Sequence, residues 1–226
     1  MTAADAPLAA LLNRADLWRG RRAGRCRPDA GRLPSGFPKL DQALGGGWPL
    51  GALTECIVPH AGVGELQLLL PALARLSGQG RWLAWVAPPW LPFPPALTQT
   101  GIDLRRILLI HPDNATDRLW ATEQCLRSGV CGAVLGWLPP HQVGPAVSRR
   151  LQLAAAQGAC WGVLFPPADT LAGHATAALR LRVTAGPGHS IRVALLRQRG
   201  SWATGELHLA RPDAPGDCPA KLTATA

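Results

Sequence analysis

Gly51–Leu70 reads GALTECIVPHAGVGELQLLL, and the fold turns on how this stretch is read. A β-prone run, Leu53–Val58, leads into a loop containing Gly62 and Gly64, and a leucine-rich helix opens after it. Strand, glycine loop and helix in that order are the plan of a phosphate-binding P-loop. A working loop of that kind reads G-x-x-x-x-G-K-[ST]: backbone N–H groups and a lysine cradle the phosphates, and a hydroxyl reaches Mg²⁺. Aligned on Gly64, this chain carries Pro59 at the first glycine, Glu65 at the lysine and Leu66 at the hydroxyl position. Proline removes a backbone donor and fixes φ near −65°. Glu65 sets a negative charge where the triphosphate would lie. Two like charges ~4 Å apart repel by about 1 kcal/mol in water and about 4 kcal/mol at an effective dielectric near 20. Leu66 cannot ligate a metal. The stretch reads as a P-loop scaffold without its nucleotide, so neither cofactor nor catalytic residue is expected.

Outward from this stretch, short apolar runs alternate with helical patterns. The helix Glu65–Leu76 places Leu66, Leu69, Leu70, Leu73 and Leu76 at helical spacing, with Pro71 marking a kink. Strands follow at Arg81–Ala87, Arg106–Ile110, Cys131–Leu138 and Cys160–Phe165. Between them come a helical turn at Ala96–Thr100 and helices at Asp117–Ser128 and Val143–Gln157. Apolar strands alternating with helices predict an α/β domain with a mostly parallel sheet covered on both faces. Upstream, Lys39–Leu44 is a short helix stopped by Gly45-Gly46-Gly47.

The end of the domain differs. Ala178–Thr184 and Ser190–Arg199 alternate partially with period two and read as an antiparallel hairpin added to the sheet. Arg180 and Arg182 share one face of it, as do Arg197 and Arg199, and with Arg192 they form a candidate ridge for DNA or an acidic partner. No acid lies between Arg180 and Arg199. At the other end, Pro7–Arg19 is a short amphipathic helix, and a basic, glycine-containing linker follows it. Leu17, Trp18, Arg19, Arg21 and Arg22 make a candidate docking segment. The chain thus divides into a helix and linker at 1–32, a domain at 33–209 and a disordered tail at 210–226.

The 226 residues suffice for one large domain. No apolar stretch reaches the roughly 18 residues of a membrane span, and the N-terminus lacks a signal-peptide pattern, so a cytoplasmic protein is expected. The six cysteines are scattered without a C-x-x-C pair and the six histidines are dispersed, so no metal site is expected. Net charge is +9, which favours an acidic partner such as nucleic acid. Of 23 basic residues only Lys39 and Lys221 are lysine, and the chain has no tyrosine. That imbalance also has a compositional origin in GC-rich coding, which weakens the charge argument.

The order of elements over Ser35–Arg199 resembles the core of the RecA recombinase family. SGFPKLDQALGGGWPLGALTE (Ser35–Glu55) is similar to its opening, and Trp82–Pro112 to its second strand, helix and next strand. Where those ATPases carry a catalytic glutamate this chain has Pro88-Pro89, and where they carry the Walker B aspartate it has Gly136 or a neighbour. The resemblance therefore implies a pseudo-ATPase. LWRG (Leu17–Gly20), GGGWPLGALTE (Gly45–Glu55) and GVGELQLLLPALARL (Gly62–Leu76) resemble the ImuA family, RecA-like accessory proteins of damage-induced mutagenesis, and their SulA-like relatives.

The ImuA resemblance implies a non-catalytic subunit of the mutasome in translesion synthesis. Its partners would be an inactive Y-family-like polymerase subunit and an error-prone C-family polymerase, with weak non-specific DNA contact. The alternative it carries is a SulA-type SOS inhibitor of cell division that binds the tubulin-like division protein. The shared GWP…GELQLLLPAL stretch does not separate the two. SulA-like inhibitors of this group are shorter and usually lack an equivalent of the hairpin at Ala178–Arg199, which turns the expectation toward the mutasome. A residual ATPase is the third reading, and it requires saturable ATP binding.

Overall fold

The computed structural model describes residues 31–139, 142, 144–166, 176–188, 190–199 and 205–210. The docking segment read at Leu17, Trp18, Arg19, Arg21 and Arg22 and the tail after residue 210 lie outside them.

Ala52–Ile57 forms β3, and every one of its six side chains is buried. A strand with no solvent face needs a layer on each side, and the chain supplies both. It sits inside an eight-stranded sheet ordered β10-β9-β8-β3-β7-β6-β4-β5. The strands are β4 (Trp82–Val86), β5 (Ile107–Ile110), β6 (Cys131–Gly136), β7 (Trp161–Leu164), β8 (Leu179–Ala185), β9 (Ser190–Gln198) and β10 (Gly205–Ala210). Five neighbouring pairs, from β5 across to β8, run parallel. The pairs β8–β9 and β9–β10 run antiparallel, so the sheet is mixed. A separate two-residue pair, β1 (Arg32–Leu33) with β2 (Trp48–Pro49), leads into it.

Alternation along the parallel strands divides the core in two. One layer gathers Cys56, Trp85, Leu135 and Val163 with leucines of α1 (Pro38–Leu44) and α2 (Glu65–Gly78). The other gathers Leu53, Val86, Val134 and Leu164 with α4 (Ala115–Arg127) and α5 (Pro145–Gln157). Each fully buried leucine contributes roughly 1.5–3 kcal/mol, and Leu68, Leu69 and Leu73 of α2 are all at 0% exposure. Leu66 and Leu70 pack only at its margin.

Two features organise the approach to the P-loop-like stretch. Gly47 has φ +116°, and a Cβ there would stand 2.2 Å from the Leu33 carbonyl oxygen, so only glycine permits the β1–β2 contact. α2 runs unbroken from Glu65 to Gly78 with Pro71 inside it. A Cβ on Gly36 would lie 2.6 Å from the Pro71 Cβ, so the segment before α1 packs directly against the proline ring.

The remaining boundaries move by a few residues from those read in the sequence. The turn expected at Ala96–Thr100 is α3, Pro94–Gln99. The α4 start falls two residues before Asp117, where the Asn114 side chain accepts from the Asp117 N–H at 2.9 Å. The hairpin is present, but its partners differ from a simple appendage. β8 lies beside β3 at the centre of the sheet, and Gly205–Ala210 adds a third antiparallel strand.

Candidate functional site

The loop between β3 and α2 ends in two glycines with left-handed backbones, Gly62 at φ +92° and Gly64 at φ +109°. Glycine reaches this region at little cost, and the conformation turns successive N–H groups inward. In a nucleotide-binding loop those donors hold phosphate oxygens. Here they hold Glu65. The Gly62 N–H donates to both carboxylate oxygens, at 3.0 Å to Oε1 and 3.2 Å to Oε2, and the Gly64 N–H donates to Oε2 at 3.1 Å. Glu65 is the first residue of α2 and is 6% exposed. Its charge lies against the positive end of the helix, where an anion is favoured. The sequence placed a repelling charge at this position; the geometry adds that the carboxylate occupies the donors themselves.

The surroundings are apolar. Cys56 on β3 is fully buried, and burial first, then the Glu65 carboxylate, push its thiol well above the ordinary range. Leu66 is half-buried and packs against the core. Pro59 is exposed. Over the carboxyl ends of β4, β6 and β7, where parallel α/β sheets bind their ligands, the chain places aromatic rings. Trp137 stacks on Phe165 with centroids 4.6 Å apart and tilts against Trp85 at 6.0 Å. Gly136, at the end of β6, is hemmed in as well, since a Cβ would meet Leu164 and Thr122 at 3.2–3.3 Å. Among the described residues no three His, Cys, Asp or Glu side chains are grouped to hold a metal ion.

The arginine ridge divides on inspection. Arg180 is 8% exposed and its Nε donates to Glu55 Oε2 at 2.7 Å, so it is part of the interior. Arg192 pairs with Glu206 of β10 at 2.8 Å. The sequence between Arg180 and Arg199 holds no acid, but the adjoining strands β3 and β10 bring one to each of these arginines. Arg182, Arg197 and Arg199 are exposed. The five therefore do not form one free basic surface.

A second buried carboxylate was not singled out from sequence. Glu55, 1% exposed, also accepts from the Ser148 hydroxyl of α5 at 3.2 Å. It joins β3, β8 and α5 across separations of 93 and 125 residues. One signal was available: a charged residue within an otherwise apolar strand, ALTECI, requires a partner if both faces are covered.

These features define an α/β protein in which the amides of the glycine loop after β3 are occupied by the chain's own Glu65. Comparison with known proteins gives the class a family likeness. The family model described as Cell division inhibitor SulA matches residues 51–162, from just before β3 into β7, including the closed loop. Three relatives carry the name Cell division inhibitor SulA. That of Edwardsiella piscicida is 37% identical over 105 residues, 46% of this chain and 61% of the relative. That of Yersinia pestis (strain Pestoides F) is 37% identical over 108 residues, 47% of this chain and 63% of the relative. That of Pectobacterium carotovorum subsp. carotovorum is 36% identical over 103 residues, 46% of this chain and 61% of the relative. The chain thus spans about three fifths of the length of the relatives it matches.

These findings correct the mutasome expectation. The family model and the relatives are division inhibitors, which overturns the translesion-synthesis role together with its two polymerase partners. The reason for expecting DNA at the hairpin goes with them. The hairpin had decided between the two readings, yet it begins at Leu179, beyond the matched residues, where the likeness does not speak.

Proposed function

We propose that this protein is a SulA-type inhibitor of cell division, acting in the damage response by binding the tubulin-like division protein, without nucleotide. One observation carries the reading: the division-inhibitor likeness over residues 51–162 includes β3, the closed loop and α2. The protein is then a binding protein on a RecA-like core, and a pseudo-ATPase. Supporting that last point, the loop donors are engaged by Glu65 and aromatic rings stand over the strand ends. No helix among the described residues is long and apolar enough to cross a membrane, which agrees with action in the cytoplasm on the division machinery.

Controlled expression in a rod-shaped bacterium tests the function. Filamentous cells with unassembled division rings are expected, with chromosome replication continuing. Normal division at high expression would overturn it. For the loop, titration with labelled ATP is expected to give no saturable binding. Saturable binding in the unaltered chain would overturn the pseudo-ATPase reading. Glu65→Lys with Leu66→Thr restores the lysine and hydroxyl and is expected to shift nucleotide affinity upward, though Pro59 still withholds one donor.

A further inference from the structure

The last turn of α4 and the first residue of β6 each carry a cysteine. Cys125 is the third residue from the end of α4 and Cys131 opens β6, with five residues between them. Both belong to one core layer, Cys131 buried within it and Cys125 half-buried against it. The Cys125 thiol donates a hydrogen bond to the Cys131 sulphur. A tight turn fixes the two elements. The Ser128 hydroxyl donates to the Cys125 carbonyl at 2.8 Å and accepts from the Val130 N–H at 3.3 Å, while Gly129 between them takes φ +73°. From the neighbouring strand, the Arg81 guanidinium donates to the Cys131 carbonyl at 2.9 Å.

The geometry points to a modification site: a hydroperoxide oxidises Cys125 and Cys131 to an intramolecular disulfide that joins α4 to β6. The two thiols take different roles. Cys131 is drawn below the ordinary thiol range, first by the hydrogen bond from Cys125 and against the opposing effect of burial, with Ser128 and the Arg81 charge adding to it. Cys125, the donor, is held up. Cys131 is therefore the attacking thiolate and Cys125 the thiol that resolves it, and the oxidant reaches the pair from the half-open Cys125 side.

With hydrogen peroxide, the Cys131 thiolate attacks one oxygen. The S–O bond forms, the O–O bond breaks, and the other oxygen takes up the proton that Cys131 released and leaves as water. Cys131 is then a sulfenic acid. The Cys125 sulphur attacks the Cys131 sulphur, the S–S bond forms, and the S–O oxygen departs with the Cys125 proton as a second water. Two thiols are oxidised and one peroxide is reduced. The sulphurs must close to about 2 Å, which rotation of the Cys125 side chain supplies from hydrogen-bond distance. Cys56 and Cys160 stand apart from this chemistry. Both are fully buried, burial pushes both thiols up, and the Cys160 thiol donates to the Trp161 carbonyl at 3.8 Å.

Brief treatment of the reduced full chain with hydrogen peroxide, quenched by alkylation in denaturant and mapped with trypsin without reduction, tests the proposal. Cleavage after Arg118, Arg127 and Arg149 puts the two cysteines on separate peptides, 119–127 and 128–149. The expected product is those peptides joined, and separated again by a dithiol, while Cys56 and Cys160 react at least about tenfold more slowly. Cys125→Ser should leave Cys131 as a sulfenic acid that dimedone traps, whereas Cys131→Ser should leave Cys125 a thiol. A joined pair that forms only after unfolding in urea would overturn the inference. So would a bridge from either cysteine to Cys160 or to a second molecule in its place, or dimedone trapped at Cys125 rather than Cys131.

Discussion

Glu55 and Glu65 are ten positions apart, both buried, and satisfied by opposite means. Glu55 faces a guanidinium and a hydroxyl brought from β8 and α5. Glu65 faces the amides of its own loop, one and three residues away. The first is a tertiary clamp, since its partners come near only once the whole sheet has formed. The second is local and fills a place that the same backbone could offer to a phosphate. The kind of partner, more than the depth of burial, separates a carboxylate that holds the fold from one that closes a site.

Breaking the clamp should have the larger effect. Arg180→Ala leaves Glu55 charged and uncompensated in the interior, and loss of one member of a buried pair costs about 3–5 kcal/mol. Urea denaturation measures it. Replacing both by apolar residues, Glu55→Leu with Arg180→Met, should recover most of the loss, because the desolvation of two charges disappears with them. If the double replacement is no better than the single, Glu55 contributes something other than a paired charge.

Opening the loop should cost less. Glu65→Ala leaves the buried Gly64 N–H without its acceptor, worth about 1–3 kcal/mol, and the exposed Gly62 turns to water. Faster hydrogen exchange at Gly62 and Gly64, with β8 unaffected, is the expected signature. Equal loosening of β8 would dissolve the distinction between the two sites. At the surface, Glu206→Gln removes the negative charge facing Arg192 but keeps an acceptor oxygen, where both side chains are over two-fifths exposed. Its effect should stay within about 0.5 kcal/mol.

Thiol chemistry sharpens the comparison without changing stability. Cys56 is raised by burial and by Glu65, so its reactive thiolate is not formed near neutrality, and alkylation should await unfolding. Cys131, also buried at 3% exposure, is drawn below the ordinary thiol range, first by its hydrogen bond from Cys125, so once an opening admits reagent its alkylation should exceed that of Cys56 and rise from pH 6 to pH 8. Mass spectrometry of the native protein after brief alkylation at pH 6 and pH 8 distinguishes them.

Much of the layered fold was legible because strands such as ALTECI and CGAVLG are apolar on both faces and alternate with leucine-striped helices. Strand order was not, since it depends on contacts such as Glu55 with Arg180 that no local pattern encodes. The same gap explains the arginine ridge: spacing placed Arg180 and Arg182 on one face, but only the neighbouring strand buries Arg180 against its acid. At the loop, Gly62, Gly64 and the acid at position 65 were readable from residue type. That the Glu65 side chain turns back onto Gly62 and Gly64 depends on loop geometry, which residue type alone does not carry. The function was misjudged for a related reason. It was weighed on the hairpin, while the informative likeness lies in the parallel core.

The most direct measurement is the effect of the purified full chain on polymerisation of the tubulin-like division protein, followed by pelleting. The account predicts a dose-dependent loss of polymer, complete near equimolar protein and unchanged by added ATP. Full polymer yield at excess inhibitor would contradict it.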